Sequence, residues 1–420
     1  MIDELVSDGF NYLSAQSLAS MISLFWLVII FEAPRYFFSF IAAAFFLNRP
    51  AYPPLSAGVK VSMIIAGHNE ADSVERCVRS LREQSRPPDE IIVVSDGSTD
   101  RMREKLRALM HRGLIDQAHC TDLRAGKSAG ANLAWRFASG DILVNVDCDC
   151  SFDRDAIKNL IAPFGDKRVG AVCGNIFVRN QRRTTLTAFQ AIEYLISISL
   201  GKQAASLIDQ VTCVSGAFGA FRRDAFASVY GLDSGGGEDL DITLKLRRRN
   251  WKIRYAPDSI CYTDVPATPL ALIRQRLRWE RDAIRLRYRK HRGLLNPLSQ
   301  RFNILEAAHE AEFLFFNVAG AAALPIYFVW LFATYGEFAP AILICAQAGL
   351  FILDFAALAL AAWATPKAKA LPLAMFLPGY ALFYGVIMRF LRLFAYAQEW
   401  ILKASYKDSY VPSKVQRVRL

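Results

Sequence analysis

Two apolar blocks bracket a polar middle, and this division constrains the fold more than any single motif. Residues 17–47 form the first block and residues 313–397 hold most of the second. Both reach the roughly 20 apolar residues that a helix needs to cross a bilayer. With 53% hydrophobic residues and a mean hydropathy of +0.20, the chain is too apolar for a purely soluble protein. Residues 17–47 lack a basic leader and a small-residue cleavage site, so they read as a retained anchor, not a signal peptide. Glu32, Pro34 and Arg35 interrupt its inner half. The later block divides into candidate spans at 313–335, 338–363 and 371–397. Arg389 and Arg392 leave residues 388–403 the alternative of lying along the interface.

The net charge of +11 resides mainly in the middle and beside the apolar ends, densest at Arg247-Arg248-Arg249 and at 285–292. The positive-inside rule then places the middle in the cytoplasm. Basic residues flanking spans favour anionic lipid headgroups over nucleic acid as partner. Lys403, Lys407, Lys414, Arg417 and Arg419 also favour the cytoplasm, although three crossings would leave this tail outside. The eight cysteines form no CxxC pair, which in a cytosolic domain predicts reduced thiols.

From Val59 the rhythm becomes short apolar strands alternating with amphipathic helices. Strands are expected at 61–66, 90–95 and 142–146, with helices at 70–84, 101–112 and 130–138. This alternation predicts an α/β domain on a mixed, mostly parallel sheet. Ligands of such sheets gather at the carboxyl ends of the strands. Residues 185–207 and 270–288 are apolar at helical spacing but too mixed to span, and are expected to lie flat on a membrane. The resulting division is 1–47 anchor, 48–58 linker, 59–265 catalytic domain, 266–302 interfacial helices, 303–402 membrane bundle and 403–420 basic tail.

Four groups of residues carry chemistry. Asp147-Cys148-Asp149 leaves an apolar strand with both carboxylates on one side, an oxygen-ligand pair suited to Mg²⁺ or Mn²⁺ beside a phosphate. Gly67-His68-Asn69-Glu70 and Ser95-Asp96-Gly97-Ser98 fall at strand ends, where carboxylates can accept from a ribose or a uracil N–H. Glu238-Asp239 follows a glycine run, expected to be mobile, and opens a helix. Macrodipole stabilisation alone would select the same pair. Gln275, Arg278 and Trp279 lie three and four residues apart on one helical face, an Arg fork and an indole platform. Lys127 has no Gly-x-x-x-x-Gly-Lys frame before it, which rejects a P-loop.

Taken together in this order, Asp96, Asp147-x-Asp149, Asp239 and Gln275-x-x-Arg278-Trp279 resemble glycosyltransferase family 2. The likeness is greatest to its membrane-embedded processive members, the cellulose, hyaluronan, chitin-oligosaccharide and poly-N-acetylglucosamine synthases. The resemblance implies a GT-A fold and an inverting transfer from a UDP-sugar, UDP-N-acetylglucosamine or UDP-glucose being favoured. It implies that Asn69, Glu70, Asp96, Lys127, Asp147, Asp149 and Arg278 bind the nucleotide sugar. Asp147 and Asp149 would hold the metal, Asp149 as the more direct ligand, and Asp239 would be the base. Ser215, Gly216, Glu238, Gln275 and Trp279 would frame the acceptor, a growing glycan or a lipid, with export subunits as further partners. The chain departs from the pattern at His68, Ser95 and Gly237, none of which removes a carboxylate. A non-processive transferase acting on a ceramide-like lipid and a catalytically silent export scaffold stay open as alternatives.

Overall fold

The computed structural model describes residues 2–34, 36–37, 51–233, 235–299, 302–407 and 412. The inner end of the expected anchor and the start of the linker therefore lie outside the described residues. Strand–helix alternation begins at Val61. β1 (Val61–Gly67) is flanked in parallel by β2 (Glu90–Asp96) and β4 (Ile142–Val146), and β3 (Gln117–Thr121) joins β2 in parallel. The period of two along a strand sorts the side chains between two cores. Met63, Ile65, Ile91, Val93 and Val144 face helices Val74–Arg82 and Met102–His111. Ile64, Ala66, Ile92, Val94 and Leu143 face helices Lys127–Phe137 and Glu238–Arg248. Val74, Cys77, Val78 and Leu81 are all fully buried, the spacing that makes Val74–Arg82 a one-faced helix.

β5 (Ser151–Phe152), β6 (Val169–Val178), β7 (Phe218–Arg222) and β8 (Lys252–Thr263) complete an eight-stranded sheet in the order β3-β2-β1-β4-β7-β6-β8-β5. β7 runs antiparallel to both β4 and β6, and β8 returns parallel to β6. The sheet is thus mixed, with its parallel half at β1–β4. The carboxyl ends of β1, β2 and β4 bring Glu70, Asp96 and Asp147 to one edge. β3 escapes a reading by hydrophobic pattern because each of its five residues is only half-buried.

Residues 185–207 form one helical rod, opened by Thr184, whose hydroxyl accepts from the Thr187 amide at 3.2 Å. Its apolar face meets Leu358, Ala361, Leu373 and Leu377. The chain's own C-terminal helices therefore cover a surface that the sequence assigns to the membrane. Two helical runs among the described residues are long and apolar enough to cross a bilayer, Ile304–Ala364 and Leu371–Leu402. The first is divided at Gly336, φ 49°, into Gly320–Tyr335 and Ala339–Ala364. The N-terminal helix Ile2–Ser14 packs on Ala339–Ala364, with Tyr12 stacked on Phe338 at 4.8 Å between ring centroids. The amphipathic helix Pro269–Arg285 lies along Met388–Leu402. Glu280 accepts from Arg392 Nε at 3.2 Å and from the Tyr396 hydroxyl at 2.7 Å, fixing that pairing.

Candidate active site

At the carboxyl edge of the parallel half lies a cavity of about 240 Å³, walled by Glu70, Asp96, Lys127, Asp147, Asp149 and Glu238 among others. These six residues come from separate places in the sequence, and each was singled out by it. The wall holds five carboxylates against Lys127 and Arg124, an imbalance that favours a small cation together with a phosphate.

Lys127 sits at the first turn of its helix and bridges two acids, forming an ion pair with Asp147 Oδ1 and lying 3.6 Å from Glu238 Oε1. Its Nζ also donates to the Gly216 carbonyl at 3.4 Å. Glu238, expected on the acceptor side, lines the same cavity as Glu70, Asp96, Asp147 and Asp149. Burial raises its carboxyl above the ordinary range, with Lys127 opposing and Asp239 adding to the rise. Burial likewise raises Asp149, and Asp147 adds to the shift. Glu70 is raised by burial as well, in spite of the hydrogen bond that Ser73 donates at 2.5 Å.

Other residues singled out by the sequence make contacts beyond the cavity. Both Asp96 oxygens accept main-chain N–H groups, from Ala125 and Gly126, each at 2.7 Å. Asp96 thus shapes the loop before the Lys127 helix while lining the cavity. Asn69 does not line it. Its side-chain oxygen accepts from the Thr99 and Asp100 amides at 2.8 and 3.3 Å and ties two strand-end loops together. Nor do Gln275, Arg278 and Trp279 reach this cavity wall. They lie on the Pro269–Arg285 helix, where the Arg276 guanidinium sits 4.6 Å over the Trp279 ring and forms a buried two-bond pair with Glu193. The cationic side chains that line the cavity are Lys127 and Arg124. The sequence offered no signal for Arg124 or Gly126, since the unrecognised β3 hid their loop. Pro412 also lines the cavity mouth.

Asp239 stands at the start of the Glu238–Arg248 helix beyond Gly237, whose φ of 70° needs a glycine. Its Oδ1 accepts from the Leu240 amide at 2.8 Å and its Oδ2 from the Gly216 amide at 3.5 Å. At the glycine run expected to be mobile, Arg285 Nη2 donates to the Gly236 carbonyl at 2.7 Å and to Asp282 at 2.8 Å. Gly216, next to Ser215, lies between Lys127 and Asp239. A Cβ built on Gly216 would meet Lys127 Nζ at 3.0 Å and Glu238 Oε1 at 3.6 Å. Gly216→Ala is expected to displace the Lys127 ammonium and weaken UDP binding about tenfold, the worth of one charge-assisted hydrogen bond, as read by calorimetric titration.

The donor set fits a hard divalent cation. Among the described residues no group of three or more His, Cys, Asp or Glu converges as a closed metal cage, and Mg²⁺ typically uses one or two carboxylates with waters and substrate phosphates. Burial pushes the Cys148 thiol well up, and the Cys261 sulfur together with burial does the same to Cys150. Neither offers a thiolate ligand.

The mixed sheet with its acidic edge has counterparts among known proteins. Residues 62–229 match the family model "Glycosyl transferase family 2". The match includes Glu70, Asp96, Lys127, Asp147, Asp149, Ser215 and Gly216, and ends before Glu238. The chain is 29% identical over 259 residues to the poly-beta-1,6-N-acetyl-D-glucosamine synthase of Staphylococcus aureus (strain MSSA476), covering 61% of each chain. It is 30% identical over 237 residues to an N-acetylglucosaminyltransferase of Rhizobium meliloti (strain 1021), covering 54% of this chain and 56% of that one. The chain thus spans less than two thirds of the length of these curated relatives. Among solved structures it resembles a mannosyltransferase from Pyrobaculum calidifontis, in complex with GDP-Man and Mn²⁺. That likeness has a TM-score of 0.59 at 22% identity and covers 87% of this chain and 99% of that one. It establishes the GT-A fold.

Proposed function

We propose that the chain is a membrane-bound inverting glycosyltransferase that adds N-acetylglucosamine, or glucose, from its UDP derivative to a growing β-linked glycan. The observation that carries this reading is the single cavity joining Glu70, Asp96, Lys127, Asp147, Asp149 and Glu238. The names of the relatives favour N-acetylglucosamine over glucose.

Asp147 and Asp149 are the residues that would hold Mg²⁺ or Mn²⁺, which when bound neutralises the diphosphate as a Lewis acid. Glu70 and Asp96 border the nucleoside end, and Lys127 approaches the phosphates. Asp239 accepts the proton of the acceptor hydroxyl as that oxygen attacks the anomeric carbon. The bond to the diphosphate oxygen breaks, its electron pair leaves with UDP, and the centre inverts. Trp279, Gln275 and Arg278 form the acceptor platform on the amphipathic helix. In this reading the reaction runs at the cytosolic face of a plasma membrane, in a multi-pass arrangement with repeated addition coupled to export, and the two apolar runs are what supports the membrane part of it.

A donor screen tests the reading. Purified protein with Mn²⁺ is expected to release UDP fastest from UDP-N-acetylglucosamine and to yield a ladder of oligosaccharides. A single glycolipid product would replace the polymer reading with lipid glycosylation. Absence of UDP release with every UDP-sugar would overturn the enzyme.

A further inference from the structure

Lys202 sits in the last segment of the 185–207 rod, Gly201–Leu207, and is only 7% exposed. A buried ammonium normally demands a carboxylate. Among the described residues Lys202 has no such ion pair. Its Nζ donates to the Ser215 hydroxyl and, at 3.3 Å, to the Cys173 sulfur. Burial pulls the ammonium toward neutrality, and the fields of Cys173, Cys213 and Asp239 hold it above its ordinary value.

The Ser215–Gly216 dipeptide is therefore gripped from two sides. Lys202 holds the Ser215 side chain, and Lys127 Nζ donates to the Gly216 carbonyl at 3.4 Å. Between these two grips the Gly216 amide points at Asp239 Oδ2, 3.5 Å away. One lysine thus ties the segment to the donor carboxylates, while the other ties it to the rod from beneath.

From this geometry we infer that Lys202 is a positioning residue of the acceptor subsite. By donating to Ser215 Oγ it turns the Ser215 hydroxyl proton outward. The subsite then presents one hydrogen-bond donor, Ser215, beside one acceptor, Asp239. Two neighbouring hydroxyls of an acceptor sugar match that pair, the hydroxyl facing Asp239 being the one that reacts. The inference rests on the proposed transfer reaction and on Asp239 as its base. It adds a residue outside every motif the sequence displays.

The test uses the full chain in detergent, with UDP-N-acetylglucosamine as donor and a short β-1,6-linked N-acetylglucosamine oligosaccharide as acceptor. Lys202→Met is expected to raise the KM for the oligosaccharide about tenfold or more, the loss of a hydrogen bond to a charged group. The KM for the donor and the affinity for UDP should stay within about twofold by the same reasoning. Lys202→Arg should restore part of the acceptor affinity. Ser215→Ala should show the same split, and the double variant should be no worse than Lys202→Met alone, because the two residues act as one unit. If Lys202→Met fails to fold, Ser215→Ala and Lys202→Arg carry the same readout. An unchanged acceptor KM, equal losses for donor and acceptor, or additive effects in the double variant would overturn the inference. Failure of the transfer reading is separately visible, as no UDP release by the wild-type chain. Failure of the base reading is visible as retained turnover in Asp239→Asn.

Discussion

Asp239→Asn should bind UDP and metal as the wild type does, yet transfer sugar about 10²–10⁴ times more slowly, the usual contribution of a positioned general base. The substitution keeps the shape and the stronger of the two hydrogen bonds, since the one amide oxygen can still accept from the Leu240 amide while the NH2 that replaces the other oxygen no longer accepts from Gly216. What it removes from the reaction is the capacity to take a proton. The cavity wall is left intact, because Asp239 stands beside it while Glu238 lines it. Glu238→Gln makes the contrast. Glu238 lies 3.6 Å from Lys127, so its neutralisation should act chiefly on nucleotide affinity and less on turnover. Single-turnover transfer with saturating donor, paired with UDP titration, separates the two. Substantial turnover in Asp239→Asn would move the base elsewhere, and Glu238 would be the next carboxylate to examine.

The helix start that carries these acids also illustrates how far the sequence could be read. Asp147 and Asp149 follow an apolar strand, and Glu70 and Asp96 follow others, so their arrival at one edge was legible from periodicity and the parallel rule. The sequence left the turn role of Asn69 open because the same carboxamide that could touch a nucleotide also suits a turn, and its φ of 58° and its bonds to the Thr99 and Asp100 amides place it in one. Glu238 and Asp239, adjacent in sequence, diverge because helical geometry sends neighbouring side chains in different directions. One faces Lys127 and the other Gly216. Arg276 was passed over between Gln275 and Arg278, although its pair with Glu193 orients the indole. Its partner lies 83 residues away, and no local pattern encodes such a pairing. The same is true of the 185–207 rod, whose apolar face looks lipid-bound until the C-terminal helices are placed against it.

Adding Mn²⁺ should raise the melting temperature of the protein, and the rise should grow with pH. Burial lifts Asp149, aided by Asp147, and also lifts Glu70. Raised carboxyls mean that the metal-free folded state binds more protons than the unfolded chain between the ordinary carboxylate pKa and the raised folded one. The stability these groups contribute is therefore full below that window and is lost as pH rises through it. A divalent cation prefers the ionised form, so its binding restores stability where the metal-free protein loses it. The shift should be small near pH 4, increase above the ordinary carboxylate range, and level off by neutrality. At a metal concentration of about 100 times Kd the gain is about 2.7 kcal/mol. Asp149→Asn should stabilise the metal-free protein at neutral pH, abolish most of the Mn²⁺-dependent rise, and reduce transfer by about 10²-fold or more, the several kcal/mol that a Lewis acid supplies. Lys127 sharpens the interpretation, because its ammonium already partners Asp147 and competes there with a second cation. The direct ligand should then be Asp149, and Asp147→Asn should cost less metal affinity than Asp149→Asn. A Mn²⁺ shift that persists in Asp149→Asn and vanishes in Asp147→Asn would reverse the two roles. A shift absent from the wild-type protein at every pH would remove the metal from the mechanism.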